Sequence, residues 1–396
     1  MPWLPRLPRV REVAGLFRIF FDHRNSDGGR GAPEHGIQDI SIVEEYAQAL
    51  EQAHEKLRTW GWPELSYLPG RVYVYSIHRR VSGYAMPGRF RSAPYLGLNS
   101  GGTEVWPEQA RGRRKATAAH ELTHLFHFEF QLPRSWWWLD EASATAMEPL
   151  VFEGNTRYLR HLHDWFRHPE KSLDTGLGYE ASLLITYLVD RFDESIVPAI
   201  YSVAGASDRP LGAIEALAEA IQGRAREQGG QEVLASATRD DIFGSGYCCD
   251  AYFLRNPVRP CFDQALYQAY GERAITETFH EYPVKDAAGN DPIDHLGCRY
   301  YRFRPKEGNS HLTVTVDLHD AHAQKFLRGE LIGVGPDMRP VERATLARPQ
   351  ARDIMRAGMD GFAPQRADHA VLVLSNCAWG FGAPDGLTFR ISAELC

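Results

Sequence analysis

The sequence predicts an α+β fold in three consecutive parts, and three changes of pattern predict it. From residue 15 to about 110, short β-rich runs surround one amphipathic helical stretch. From 111 to about 280, apolar residues recur at helical spacing, and from about 296 the period changes to two. At 396 residues, 43% hydrophobic and with nine tryptophans, the chain is long enough for two domains and at least one large core. The parts are 1–110, a small α/β unit; 111–285, helical; and 293–396, an antiparallel β-sandwich. The linker before the last part is Asp286-Ala-Ala-Gly-Asn-Asp-Pro292.

In order, Leu16 to Asp22 is a strand candidate. Ser41-Ile-Val-Glu44 spells a capping box that opens a helix to about Trp60, with Val43, Tyr46, Leu50, Ala53 and Leu57 on one face. Arg71 to Ile77 and Ala93 to Leu98 are β-rich runs. Helices are expected near 115–130, 140–150, 155–167, 179–192, 194–204, 210–222, 231–237 and 262–275, punctuated by Gly176, Gly205 and Gly223. The basic run Arg111-Gly-Arg-Arg-Lys115 is expected to solvate the entry to the first of these, although cations near a helix start oppose its dipole. Five strand candidates close the chain: 299–304, 311–317, 330–334, 369–375 and 386–392.

The chemistry concentrates at His120-Glu-Leu-Thr-His124. Histidines at i and i+4 project from one helical face and can chelate one zinc through neutral ring nitrogens. Glu121 between them can act as general base on a metal-activated water. Ala119, Leu122, Phe126 and Phe130 recur at helical spacing and supply a buried side. A catalytic zinc needs a third protein ligand. The metzincin pattern would place glycine and histidine at 127 and 130, which hold His127 and Phe130, so that branch is rejected.

After sixteen intervening residues comes Glu141, within Trp138-Leu-Asp-Glu-Ala142, and Glu148 follows. This resembles the Trp-Leu-Asn-Glu-Gly…Glu signature of the gluzincin metallopeptidases, in the style of the hyicolysin-like and aminopeptidase-branch bacterial enzymes. The resemblance implies a second, antiparallel helix carrying Glu141 as third ligand to one zinc per chain. Glu148, two turns on, would orient a ligand histidine from behind, with Asp140 in a similar supporting place. Glu148 is also a rival for the ligand itself, and His127 is a supporting or core histidine. Gly178-Tyr179-Glu-Ala181 is similar to the segment whose tyrosine supports the oxyanion in the aminopeptidase branch. Tyr179 is therefore a candidate oxyanion donor, with Tyr187 an alternative and core packing the plain reading.

The same resemblance implies a small sheet whose edge strand pairs with an extended substrate. Ala93 to Leu98, centred on Tyr95, Leu96 and Gly97, is the expected edge. Gly101-Gly-Thr-Glu-Val105 loosely resembles the segment that captures a substrate amine in aminopeptidases, which makes Glu104 a candidate for that role. The implied function is a zinc peptidase, endopeptidase preferred, acting on a peptide or protein; a zinc aminopeptidase and a non-catalytic zinc-containing adhesion protein are the alternatives.

A net charge of −7 and a pI near 6.2 argue against a nucleic-acid surface. No run of about eighteen apolar residues could form a transmembrane helix. Residues 1–22 do not make a signal peptide. Six cysteines, all beyond residue 247, fit either disulfides or buried thiols. Export to the periplasm or medium of a bacterium is the expectation, with the cytoplasm as the alternative.

Overall fold

A computed structural model of the chain describes residues 9–21, 37, 39–75, 82–88, 93–100, 107–176, 178–207, 211–229, 239–252, 272–287, 292–308, 311–319, 321–348, 353–380 and 382–396. The first elements are β1 (Arg9–Val13), β2 (Phe17–Phe21), α1 (Ser41–Thr59), β3 (Gly70–Tyr75), β4 (Gly83–Met86), β5 (Tyr95–Asn99), α2 (Pro107–Glu129) and α3 (Trp137–Val151). There follow α4 (Leu159–Arg167), α5 (Ser182–Arg191), α6 (Ile196–Ala206), α7 (Ala213–Gly229) and a π-helix (Ile242–Cys248). Then come β6 (Ile275–Phe279), β7 (Val284–Ala287), β8 (Cys298–Phe303), β9 (His311–Leu318), α8 (Ala321–Phe326) and β10 (Leu327–Val334). The last are β11 (Pro340–Thr345), β12 (Ile354–Asp360), β13 (His369–Asn376) and β14 (Phe389–Leu395). The fold is α+β, as the periodicities require. Among the described residues no helix is long and apolar enough to cross a membrane.

Contacts divide the chain into two compact units, Met1–Arg160 with Phe192–Asp208, and His161–Arg191 with Arg209–Cys396. Neither boundary expected from composition is where they part. Position 110 lies inside α2, and the helices from 161 to 191 and from 213 onward belong with the C-terminal strands.

In the first unit the sheet order is β1-β2-β3-β5-β4. β2, β3 and β5 are parallel, and β1 and β4 close the two ends antiparallel. Alternation along β2 and β3 buries Phe17, Ile19, Val72 and Val74. α1 buries its expected face of Val43, Tyr46, Leu50, Ala53 and Leu57, and the Tyr46 hydroxyl donates to the Asn99 carbonyl at the end of β5 (2.9 Å). The capping box does not form. Ser41 is already helical, the Asp39 carboxylate accepts its N–H (2.8 Å), and Glu44 is drawn away to Arg11 (2.8 Å).

In the second unit two sheets share one core. Their orders are β11-β10-β13-β8-β6 and β12-β9-β14-β7. Tyr301, Phe303, Leu372 and Leu374 from the first pack with Leu312, Val314, Val316, Phe389 and Ile391 from the second. The sandwich is larger than the five expected strands and not wholly antiparallel, because β6 runs parallel to β8. β13 is buried along its whole length, whereas β9 alternates strictly. Five cysteines, Cys248, Cys249, Cys298, Cys377 and Cys396, are free thiols, the first four buried; Cys261 lies outside the described residues. The helix expected at 231–237 and most of that at 262–275 lie outside them too.

Candidate metal centre

The centre is built on two helices of the first unit. α2 begins at Pro107, well before the expected start, and takes the basic run into its body. Arg114 reaches Glu45 on α1 (2.5 Å) and Arg113 reaches the Ser82 hydroxyl (2.9 Å), so these cations tie α2 to its neighbours. Ala116, Ala119, Leu122 and Phe126 are fully buried, while Phe130 is half-buried just past the helix end. A short 3-10 turn (Arg134–Trp136) leads into α3. Contacts run in opposite senses along the two helices, His127 to Asp140 and Ser143, His124 to Glu141, His120 to Glu141 and Glu148. The pair is therefore antiparallel.

Three side chains converge. His120 Nε2 lies 3.2 Å from Glu141 Oε2 and 3.2 Å from His124 Nε2, and His124 Nε2 lies 3.6 Å from Glu141 Oε1. One ligand atom from each of His120, His124 and Glu141 falls within 4.8 Å of the other two. Two imidazoles and one carboxylate in that space match the donor set of a three-ligand zinc site. Glu148 touches the opposite face of the problem: its Oε1 is 3.2 Å from His120 Nδ1, the nitrogen turned away from the convergence point. Glu148 is not one of the three residues that converge.

Burial and charge oppose each other across the cluster. Burial would push the His120 imidazole down, but hydrogen bonds to Glu141 and Glu148 outweigh it and raise its pKa to about 10. Burial likewise favours neutral Glu141 and Glu148, yet the histidines hold Glu141 well below the usual carboxylate range, and His120 and Arg157 hold Glu148 below it. Glu121, fully enclosed, is raised by burial, with the two histidines pulling the other way. Asp140 is pushed up to about 6, mainly by burial, and burial drives His127 far toward its neutral form.

Arg157 was invisible to sequence reasoning. Its guanidinium donates to Thr117 Oγ1 (2.7 Å), one turn before Glu121, and to Ser82 Oγ (3.1 Å), and its charge favours ionised Glu148 and Glu121. No local motif announces it, since its partners lie 40 and 75 residues away.

The expected substrate strand needs correction. β5, with Tyr95, Leu96 and Gly97, is paired on both sides, to β3 and to β4, and offers no free edge. The terminal strand is β4, Gly83-Tyr-Ala-Met86, antiparallel to β5. Its glycine and alanine hide it from β-propensity. Gly97 serves packing instead: the Tyr84 ring lies where its Cβ would be, 2.3 Å away. Gly83 abuts α2, where a Cβ would stand 2.7 Å from Thr117 Cγ2 and 2.9 Å from Glu121. The end strand therefore runs directly beside the general-base candidate. A glycine at the start of such a strand was the signal to read.

Of the remaining candidates, Glu104 lies outside the described residues. Tyr179 belongs to the second unit, half-buried in a 3-10 turn ahead of α5, with its ring stacked on His161 (4.7 Å, 16°). Tyr187, in the same unit, packs against Tyr247. Neither is among the residues that the first unit brings together.

No family model and no curated protein matches the chain. Among solved structures the chain is similar to a family GH115 4-O-methyl-alpha-glucuronidase with specificity for decorated arabinogalactans, at 11% identity and a TM-score of 0.18. The match covers 82% of this chain and 51% of that one, so the chain spans about half that enzyme's length. A likeness this slight carries nothing about fold or chemistry.

Proposed function

We propose that the protein is a zinc-dependent peptidase, cleaving within an extended peptide chain. The observation that supports it is the convergence of His120, His124 and Glu141 within 4.8 Å, with Glu121 beside them and the end strand β4 against Glu121. His120, His124 and Glu141 would hold the ion. Zinc, when bound, supplies Lewis acidity toward a water and toward a carbonyl.

The protein's own groups do the rest. Glu121 takes the proton of the attacking water and returns it to the leaving amine; burial, which lifts its pKa, suits a group that must both accept and release. Glu148 fixes the His120 ring from its far nitrogen. Among the described residues β4 is the end strand, and its outer backbone N–H and C=O groups are those an extended substrate would pair with on both sides of the scissile bond. That pairing favours an endopeptidase, and blocking the amino terminus of a test peptide should leave cleavage intact.

The test is hydrolysis of an unfolded protein by the zinc-loaded chain, its loss with a chelator and its return with zinc. Glu121→Gln should bind zinc as the wild type does and turn over at least about a hundredfold more slowly. Undiminished turnover in that variant would remove the mechanism.

A further inference from the structure

The basic run at the start of α2 is only half accounted for by ties to other elements. Arg113 reaches Ser82 and Arg114 reaches Glu45. Arg111 and Lys115, four residues apart and so on one side of the helix, instead line a cavity of about 500 Å³. Gln52 and Lys56 of α1 line it too, with Val151 at the end of α3 and the turn that follows. All of these residues belong to the first unit, and the volume is that of a small-molecule site. Arg111 precedes His120 by two and a half helical turns, so its side chain leaves α2 on the side opposite the metal ligands.

The charge of the lining is inverted relative to the chain. Lys56, Arg111 and Lys115 face the single carboxylate of Glu153, in a protein whose net charge is −7. Arg111 is partly answered by Glu45, at 3.7 Å. The lysines are not answered by acids. The Lys56 ammonium donates to the Val151 carbonyl oxygen (2.6 Å), and the Lys115 ammonium stands 5.6 Å from the centre of the Phe152 ring. Both lysines are half-buried, and among the described residues neither forms an ion pair. Like charges held around one void, partly out of water, repel one another, and an anion placed among them would remove that cost.

Gly112 is a second sign. It lies inside α2, where glycine is less stable than alanine, and it lines the same cavity. A Cβ there would meet no atom within 4 Å, and its φ is not positive, so neither a close contact nor a turn requires it. Any side chain at 112 would grow from the cavity wall.

We propose that this cavity binds a small phosphomonoester, at a site separate from the metal centre and independent of the zinc reading. A phosphate monoester carries a charge of about −1.5 to −2 at neutral pH, which matches three cations less one carboxylate; a carboxylic acid supplies half of that. Its oxygens can be shared among the two ammoniums and the guanidinium. Val151 and Phe152 give the organic remainder an apolar wall.

The experiment titrates phenyl phosphate, inorganic phosphate and benzoate into the full chain by calorimetry at low ionic strength. Each titration is run on zinc-loaded protein and on protein dialysed free of metal, because zinc itself attracts phosphoryl oxygen. Phenyl phosphate should bind both forms alike, at about one per chain, and at least about tenfold more tightly than benzoate. Lys56→Gln and Lys115→Gln should each weaken it by about tenfold or more, the scale of one charge-assisted hydrogen bond. Gly112→Leu should abolish binding while its melting temperature stays at or above that of wild type, which separates a blocked cavity from a misfolded chain. No phenyl phosphate bound, benzoate bound as tightly, or wild-type affinity in Lys115→Gln and Gly112→Leu would overturn the proposal. Binding confined to the zinc-loaded form would put the phosphate on the ion and overturn it equally. Inorganic phosphate bound as tightly as phenyl phosphate would overturn the ester assignment in favour of the free ion.

Discussion

His120 in the first unit and His295 in the second each carry a carboxylate at both ring nitrogens. His120 has Glu141 and Glu148, both at 3.2 Å; His295 has Asp385 at 2.6 Å on Nδ1 and Asp174 at 3.2 Å on Nε2. At His120 Nε2, a second imidazole and the Glu141 carboxylate meet, so three lone-pair donors share one centre. At His295 Nε2 the additional neighbour is the Ser172 hydroxyl, 2.8 Å away, which hands its own proton to Asp174 (2.5 Å). Ser172 is buried, and with its proton committed to Asp174 it is a tie between loops, not a nucleophile. A histidine between acids is therefore not by itself a candidate metal site. What separates the two is whether donors converge on one point or are spread across a ring and consumed by it.

The comparison can be broken at three depths. The largest expected effect is on metal-linked stability. Zinc at about a hundred times its Kd should stabilise the folded chain by about 2.7 kcal/mol. Calorimetry should find that increment in wild type and in His295→Ala, and none in His124→Ala; an increment lost in His295→Ala would mean that the second cluster also holds the ion. Next comes the packing that joins β4 to the base. Gly83→Val places atoms where Thr117 and Glu121 already stand, and overpacking of this kind costs about 1–3 kcal/mol. Thermal melts should register that loss, and turnover should fall while zinc affinity stays near wild type, since Glu121 is displaced and the ligands are not. An unchanged turnover would separate β4 from the chemistry.

The smallest effect is a pH dependence confined to the second cluster. Burial opposes a charged His295, but the hydrogen bonds it donates to Asp174 and Asp385 prevail and raise its pKa to about 8. The folded state then holds this proton more tightly than the unfolded chain. The associated stability is complete below the unfolded value near 6.5 and is lost as pH rises through about 8. With Asp385 more than half exposed, solvent screening leaves on the order of 1 kcal/mol. Melting curves between pH 6 and 9 should show this loss in wild type and lack it in His295→Ala; a loss of equal size in that variant would assign it to another group.

The sequence revealed what local spacing encodes. His120, Glu121 and His124 were legible because one helical turn puts them on one face, and Glu141 and Glu148 because they repeat that logic on α3. The five foreseen C-terminal strands, β8, β9, β10, β13 and β14, were legible too, from apolar and β-branched runs as much as from alternation. β11 and β12 were not: β11 is exposed along nearly its whole length and has no apolar alternation to read, and β12 does alternate, but its buried positions are Met355, Ala357 and Met359, none of them β-branched or aromatic. What escaped depends on partners far along the chain. The true start of α2 was hidden because arginines oppose a helix dipole locally, and only Glu45 and Ser82 explain them. The order of β4 and β5 is a pairing choice that no single strand carries. Arg157 has no motif, because its meaning lies in the side chains it meets.

Metal analysis of protein prepared with zinc tests the central claim most directly, with Glu141→Gln and Glu148→Gln beside the wild type. The account predicts about one zinc per chain in wild type and essentially none in Glu141→Gln. Glu148→Gln should retain the ion with affinity weakened about tenfold to a hundredfold. A wild type without zinc, or a full complement in Glu141→Gln together with loss in Glu148→Gln, would contradict it.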